Sequence, residues 1–125
     1  MYLYSNKREM AKIKIYHNNS CSKSRATLEL LKDQNLDLEI QEYLTNIPSR
    51  SELKEILAML NFKPMDLLRK NETLFKEKFS QLELSDEKWI DILLENPILI
   101  ERPIVIKDGK AVIGRPIKQV IDLIK

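Results

Sequence analysis

Two short segments near the start of the chain, residues 13–16 and 38–43, have the apolar pattern of β-strands. The first is rich in β-forming residues, and the second alternates apolar and polar positions. Between them, apolar residues recur at helical spacing from Lys23 to a stop near Asn35, which predicts a helix. A strand, a helix and a strand of these lengths predict a right-handed parallel βαβ unit.

The middle of the chain has the apolar periodicity of helices. Ser49 and Glu52 form a capping-box sequence, so we predict that a helix begins there. Shorter helices are predicted over residues 64–68, 72–79 and 85–95. The residues predicted to face the core are Leu53, Ile56, Leu57, Leu60, Trp89, Ile90, Leu93 and Leu94. Because Pro97 ends this block, we interpret it as a helical insertion between two parts of one sheet.

The last quarter of the chain predicts a hairpin followed by a helix. Residues 104–106 and 111–113 are β-branched segments joined through Asp108-Gly109, which is a strong hairpin signal. Pro116 fits the first turn of a final helix. The positions predicted to face inward on that helix are Ile117, Val120, Ile121 and Ile124. The predicted fold class is therefore α/β, a mixed four-stranded sheet in the order β-α-β, helical insertion, β-β-α.

The length of 125 residues fits one domain with a single core. We predict one domain over residues 1–125, in which residues 1–9 are an extension ahead of the first strand. The net charge of +2 argues against nucleic acid as a partner, and no segment has the apolar length of a membrane span. A single cysteine and the lack of a signal-peptide pattern favour the cytoplasm. We expect a monomer.

The only cysteine, Cys21, and the only histidine, His17, lie in the turn between the first strand and the first helix. The first backbone N–H groups of a helix carry partial positive charge and favour an anion, either a thiolate or a bound oxyanion. Lys23 and Arg25 add positive charge where acidic residues are usual. A lone cysteine is often a small buried hydrophobe, but these polar and basic neighbours favour a reactive thiol.

Two further side chains of this turn have alternative roles. His17 is either a structural hydrogen-bonding group or a proton acceptor or electrostatic partner for the thiol. Ser22 and Ser24 both have the hydroxyl of an N-cap residue, and we expect one of the two to cap the helix.

Residues 17–25 read His-Asn-x-x-Cys-x-x-Ser-Arg. Four other motifs lie at residues 48–53, 67–71, 97–105 and 114–116. Together they resemble the glutaredoxin-dependent arsenate reductase family, which has a thioredoxin-like fold. The resemblance extends from about Ile13 to the end of the chain. In that fold the residue before the third strand is commonly a cis-proline that faces the active-site loop, and Pro103 occupies that place.

The resemblance also implies an oxyanion site. Arg69, Arg102 and Arg115 would surround the cysteine loop, where guanidinium groups bind oxyanions through paired N–H donors. Arg25 is assigned to anchoring the oxyanion and Ser24 to donating a hydrogen bond to the thiolate. The alternative for each arginine is a solvated surface charge, since most charged residues are exposed.

The activity implied by the resemblance is arsenate reduction, with Cys21, His17 and Ser24 as catalytic residues. The Cys21 thiolate would attack arsenic, glutathione would attack the adduct, arsenite would leave and glutaredoxin would restore the thiol. Glutathione is then a co-substrate, and we expect no bound cofactor and no metal. Two alternatives remain. One is a regulatory module like the RNA polymerase-binding branch of this fold, whose Cys-x-x-Cys switch has Ser24 at its second position here. The other is a general thiol oxidoreductase, which would not need three arginines.

Overall fold

The computed structural model describes residues 11–125, so the predicted extension over residues 1–9 lies outside the described residues. The chain divides into two compact units. The first comprises the segment that ends at Glu42 together with Arg102–Lys125, and the second is Tyr43–Glu101. The prediction of one domain over the whole chain stays a prediction.

Five helices and four strands occupy the described residues, together with short 3₁₀ helices over Pro64–Leu67 and Pro97–Leu99. In chain order they are β1 (Ala11–His17), α1 (Ser22–Lys32), β2 (Leu36–Glu42), α2 (Arg50–Leu60), α3 (Thr73–Lys78), α4 (Asp86–Glu95), β3 (Ile104–Lys107), β4 (Lys110–Ile113) and α5 (Lys118–Ile124).

The first unit is built on a four-stranded sheet with the order β2-β1-β3-β4. β1 is parallel to β2 and antiparallel to β3, and β3 is antiparallel to β4. Ile15 lies opposite Ile40 on one side and Val105 on the other. The predicted βαβ unit, the hairpin and the mixed sheet are therefore confirmed.

The core of the first unit lies where α1 and α5 pack on this sheet. Ile13 and Ile15 are two positions apart on β1, so their side chains share one face of the sheet. The buried cluster on that face consists of Ile13, Ile15, Leu28, Leu31, Val105 and Val120. Burial of one such side chain stabilises a fold by roughly 1.5–3 kcal/mol. This packing fixes the start of α1 beside the end of β1, and that junction carries the cysteine.

Two glycines show how tightly the β3–β4 hairpin is built. Asp108 and Gly109 both have positive φ, 51° and 75°, as a two-residue type I′ turn requires. At position 114, directly after β4, glycine is required for a different reason. A Cβ at that position would lie 2.8 Å from Pro103 Cγ and 3.1 Å from Thr27 Oγ1. Only glycine therefore lets the chain pass between Pro103 and α1 without a shift.

The second unit is the predicted helical insertion. Ser49 caps α2, and the reciprocal hydrogen bonds of the capping box with Glu52 are both present. The rings of Phe75 and Trp89 pack at a centroid distance of 6.3 Å. The predicted core residues Leu53, Ile56, Leu57, Trp89, Ile90 and Leu93 are buried, whereas Leu60 and Leu94 are partly exposed.

The final helix begins later than predicted. α5 starts at Lys118 instead of Pro116, because the Pro116 carbonyl accepts a hydrogen bond from the Gln119 N–H and forms a turn ahead of the helix. Val120 is fully buried, while Ile117 and Ile121 are each 37% exposed. Residues one position apart on a helix differ by about 100° in direction, so with Val120 at the centre of the inward face Ile121 lies at its edge.

Candidate active site

The loop between β1 and α1 is closed by its own polar groups. The Cys21 N–H donates to the Asn18 carbonyl at 3.1 Å, and the Ser20 N–H donates to Asn18 Oδ1 at 2.9 Å. Asparagine favours such turns because its side chain hydrogen-bonds backbone two residues on. Arg25 Nη1 donates to the Asn19 carbonyl at 2.8 Å, which ties the first turn of α1 back to the loop.

Cys21 itself is the N-cap of α1. Its backbone is extended, and its carbonyl accepts the first helical hydrogen bond from the Arg25 N–H at 2.9 Å. The prediction that Ser22 or Ser24 caps the helix is therefore wrong. An N-cap side chain normally accepts from the second or third N–H of the helix. At this helix no side-chain hydrogen bond of ordinary geometry does so, and the thiol stands in the place of the usual hydroxyl.

The thiol of Cys21 is partly buried and lies in a positive environment. Burial raises the pKa of the Cys21 thiol, but the backbone N–H groups of Ser24 and Lys23 and the guanidinium of Arg102 lower it by more. Arg102 acts both through its charge and through a hydrogen bond. The net result is a pKa below that of an ordinary cysteine, so the nucleophilic thiolate is populated at lower pH.

The His17 ring is 2% exposed, and both of its nitrogens have partners. Nδ1 lies 2.7 Å from Ser24 Oγ, and Nε2 lies 3.3 Å from Asn19 Oδ1. Ser24 Oγ also accepts from the Asn18 N–H at 3.0 Å. Because the Ser24 hydroxyl can donate to Nδ1, this arrangement leaves the Nε2–H to donate to Asn19 Oδ1.

The same contacts define what His17 and Ser24 do for the loop. The Ser24 hydroxyl is engaged with His17 and with the Asn18 N–H, while the Ser24 backbone N–H is the group that acts on Cys21. His17 is engaged with Ser24 and Asn19. Both side chains therefore hold the loop and the start of α1 together. Their catalytic roles stay predictions.

The arginines of the first unit lie in three different settings. Arg102 acts directly on Cys21, and the Arg102–Pro103 peptide bond is cis, as predicted. Arg25 is exposed and bound to the loop backbone. Arg115 is exposed, precedes Pro116 by a second cis bond and lines a cleft of about 300 Å³. The structure thus brings Arg102 to the thiol, and oxyanion binding by all three stays a prediction.

Arg69 belongs to the second unit, where several contacts fix it. Its N–H donates to the Leu99 carbonyl at 2.8 Å, and its Nη1 donates to the Ile98 carbonyl at 3.0 Å. Its Nη2 forms an ion pair with Glu72 at 2.9 Å. The guanidinium is therefore held in one orientation, and its predicted oxyanion role stays a prediction.

Comparison with known proteins identifies the family of this site. The sequence model of the ArsC family matches residues 16–123. The chain belongs to the ArsC family. It is 42% identical to the uncharacterised protein YfgD of Escherichia coli K12 over 90% of this chain and 96% of that protein. It is 38% identical to an arsenate reductase of Neisseria meningitidis over 89% of this chain and 97% of that protein.

A solved structure gives the same result for the fold. An arsenate reductase from Vibrio cholerae superposes with a TM-score of 0.85 at 40% identity, covering 91% of this chain and 98% of that one. This member of the ArsC family therefore has the thioredoxin-like fold of arsenate reductases. The family and fold predicted from the motifs are confirmed.

The asparagines were not among the residues predicted for the site. Asn18 and Asn19 supply the turn and the partners of His17, and the available signal was their composition, since consecutive Asn residues after a strand favour a side-chain-closed turn. Within residues 11–125, no three His, Cys, Asp or Glu side chains lie close enough to hold a metal ion. None of the helices in that range is long and apolar enough to cross a bilayer.

Proposed function

We propose that this ArsC family protein is a glutathione- and glutaredoxin-dependent arsenate reductase. The observation that carries the proposal is the convergence of Arg102 and the first N–H groups of α1 on the Cys21 thiol. Such a site favours two anions, the thiolate and an incoming oxyanion, at one place. A cytoplasmic location is part of the proposal, because glutathione and glutaredoxin are kept reduced there. A monomer is expected to suffice.

The first chemical step forms a bond between sulfur and arsenic. The Cys21 thiolate attacks the arsenic of arsenate, and one arsenate oxygen leaves as hydroxide, which becomes water on protonation. Arsenic remains in its pentavalent state. Arg102 stabilises the negative charge that develops on the remaining oxygens, together with the other predicted oxyanion ligands Arg25, Arg69 and Arg115.

The second step transfers two electrons. A glutathione thiolate attacks the Cys21 sulfur, a disulfide bond forms, and the sulfur–arsenic bond breaks with its electron pair on arsenic. Arsenic becomes trivalent, takes up a proton on oxygen and leaves as arsenite. A glutaredoxin thiol then attacks the mixed disulfide and frees the Cys21 thiol. The sequence contains one cysteine, so an external thiol is required to complete this cycle.

Oxyanion binding contributes more to this reaction than activation of the thiol. In general, each tenfold gain in thiolate fraction is offset by about a three-fold loss in nucleophilicity, because a more acidic thiol is a weaker nucleophile. Positioning of the reactants and stabilisation of transition-state charge can each contribute about 10²-fold or more. The proposal therefore assigns most of the rate enhancement to the arginines.

The test is arsenate-dependent oxidation of NADPH, coupled through glutathione, glutaredoxin and glutathione reductase. Wild type is compared with Cys21→Ser after circular dichroism has shown that both are folded. We expect turnover in wild type and only background oxidation in Cys21→Ser, because a serine hydroxyl is not ionised at neutral pH. If folded, reduced wild type gave no turnover, arsenate would be excluded as the substrate.

A further inference from the structure

A cleft of about 300 Å³ lies in the first unit, and of its lining residues only Arg115 has a part in the proposed attack on arsenate. One wall is the start of α1 and the other is the segment between β4 and α5. Its lining residues are Lys23, Ala26, Gly114, Arg115, Pro116 and Ile117. This volume lies at the lower end of the range for small-molecule pockets in proteins.

Both walls of the cleft are connected to groups that act on the reactive cysteine. Lys23 lines the cleft, and its backbone N–H is one of the groups that act on Cys21. On the opposite wall, Gly114 approaches Pro103 so closely that a Cβ would lie 2.8 Å from Pro103 Cγ. Pro103 directly follows Arg102, another of the groups that act on Cys21. A molecule in the cleft is therefore next to the Cys21 loop.

The lining of the cleft has the chemistry of a site for a small organic anion. Lys23 and Arg115 come from different elements, and both are exposed. Within residues 11–125 neither side chain forms an ion pair, and the lining contains no acidic residue. Ala26, Pro116 and Ile117 supply an apolar surface, with Ile117 37% exposed. Two cations beside an apolar wall suit a carboxylate that carries a short aliphatic chain.

We propose that this cleft binds the external thiol that reduces the Cys21 adduct, and that it selects thiols bearing carboxylates, such as glutathione. The inference rests on the proposed function. The chain has a single cysteine, so the second thiol must approach from outside, and the cleft includes Lys23, two residues after the cysteine that this thiol attacks. Lys23 binds one carboxylate, Arg115 uses part of its five N–H donors for the other while it also faces the oxyanion, and the apolar wall contacts the methylene groups.

The first test measures arsenite release in a single turnover, with no coupling enzymes. Enzyme and arsenate are mixed with glutathione or with glutathione diethyl ester, whose carboxylates are neutralised. The variants are Lys23→Gln and a matched control, Lys32→Gln, which removes the same charge at the other end of α1. The ratio of the arsenite release rates with the two thiols cancels any general effect of the lost charge on Cys21 or on arsenate.

We expect wild type to prefer glutathione over the ester, and Lys23→Gln to reduce this preference about three- to five-fold. This is the upper part of the range for one exposed ion pair, which extends to about five-fold. Lys32→Gln should keep the wild-type ratio. If wild type released arsenite equally fast with both thiols, and Lys23→Gln left the ratio unchanged, the cleft proposal would be overturned while arsenate reduction stood.

A second test is independent of turnover. S-methylglutathione, a thioether that cannot react, is titrated into ¹⁵N-labelled wild type while the amide signals of Lys23, Ala26, Gly114 and Ile117 are followed. We expect these signals to shift, with an apparent Kd about three- to five-fold weaker in Lys23→Gln. If these amide signals shifted but the protein released no arsenite, the proposed function would be contradicted and binding in the cleft would stand. No shift at these amides would contradict the cleft.

Discussion

At the scale of single residues, the N-cap position explains the reactivity assigned to Cys21. A neutral thiol is a weak hydrogen-bond acceptor, so it satisfies the N–H groups of Lys23 and Ser24 poorly. A thiolate at the same place accepts charge-assisted hydrogen bonds from them and faces the positive charge of Arg102. The helix end therefore favours the ionised form over the neutral form. A serine at this position would cap the helix but would not supply the nucleophile.

Ser24→Ala separates the two roles considered for Ser24. Loss of the hydroxyl leaves the buried Asn18 N–H and His17 Nδ1 without their partner, so we expect the free energy of unfolding to fall by about 1–3 kcal/mol. The Ser24 backbone N–H remains, so the pKa of Cys21 should stay below its ordinary value. Urea unfolding measures the first quantity, and thiolate absorbance near 240 nm against pH measures the second.

The control for this variant is Ser22→Ala. Ser22 is exposed and lies in the same first turn of α1, so we expect a change in stability within about 0.5 kcal/mol and no change in the thiolate titration. A pKa that returned to the ordinary cysteine range in Ser24→Ala, with stability unchanged, would instead assign the hydroxyl to the thiolate, as the family resemblance implies.

At the scale of elements, the site depends on a close passage of the β4–α5 segment between α1 and Pro103. We expect Gly114→Ala to lower the free energy of unfolding by about 1–3 kcal/mol, because its Cβ would lie 2.8 Å from Pro103 Cγ and 3.1 Å from Thr27 Oγ1. Displacement of Pro103 would also move Arg102. The rate of Cys21 alkylation by iodoacetamide should therefore change in this variant.

Gly109→Ala is the matched control for Gly114→Ala. Gly109 has φ of 75° and open space around its Cα, so alanine there costs stability, by about 1 kcal/mol, through backbone strain alone. The hairpin turn has no contact with the cysteine loop through this residue, so alkylation of Cys21 should be unchanged. If Cys21 were alkylated at the same rate in both glycine variants, the Gly114 contact would not be what positions Arg102.

The elements themselves were largely predictable, because their signals are local. The strands, the Asp108-Gly109 hairpin and the Ser49 capping box follow from periodicity and turn chemistry within a few residues. The first residue of α1 could not be predicted in this way, because Ser22 and Ser24 are equally good caps by sequence. The turn closed by Asn18 places Cys21 at the N-cap instead. Contacts between distant residues, such as Arg102 with Cys21, came only from family motifs.

At the scale of the whole molecule, one cysteine in the sequence determines how the redox cycle must be completed. A protein with a second, resolving cysteine can release its product and store the oxidation as an internal disulfide. This chain has only Cys21, so every oxidised state with a disulfide contains a second molecule. The partly buried position of Cys21 and the adjoining cleft favour a small thiol over a second copy of the chain.

Because the cycle depends on a second molecule, the oxidised protein should carry that molecule as a disulfide. When wild type turns over arsenate with glutathione but without glutaredoxin, we expect intact-mass spectrometry to detect one glutathione per chain, and Cys21→Ser to carry none. Added glutaredoxin should remove the adduct and restore arsenite release, since its thiol attacks the mixed disulfide. Accumulation of a disulfide-linked dimer of the chain would contradict the proposed cycle, because the second thiol would then be another Cys21 instead of glutathione.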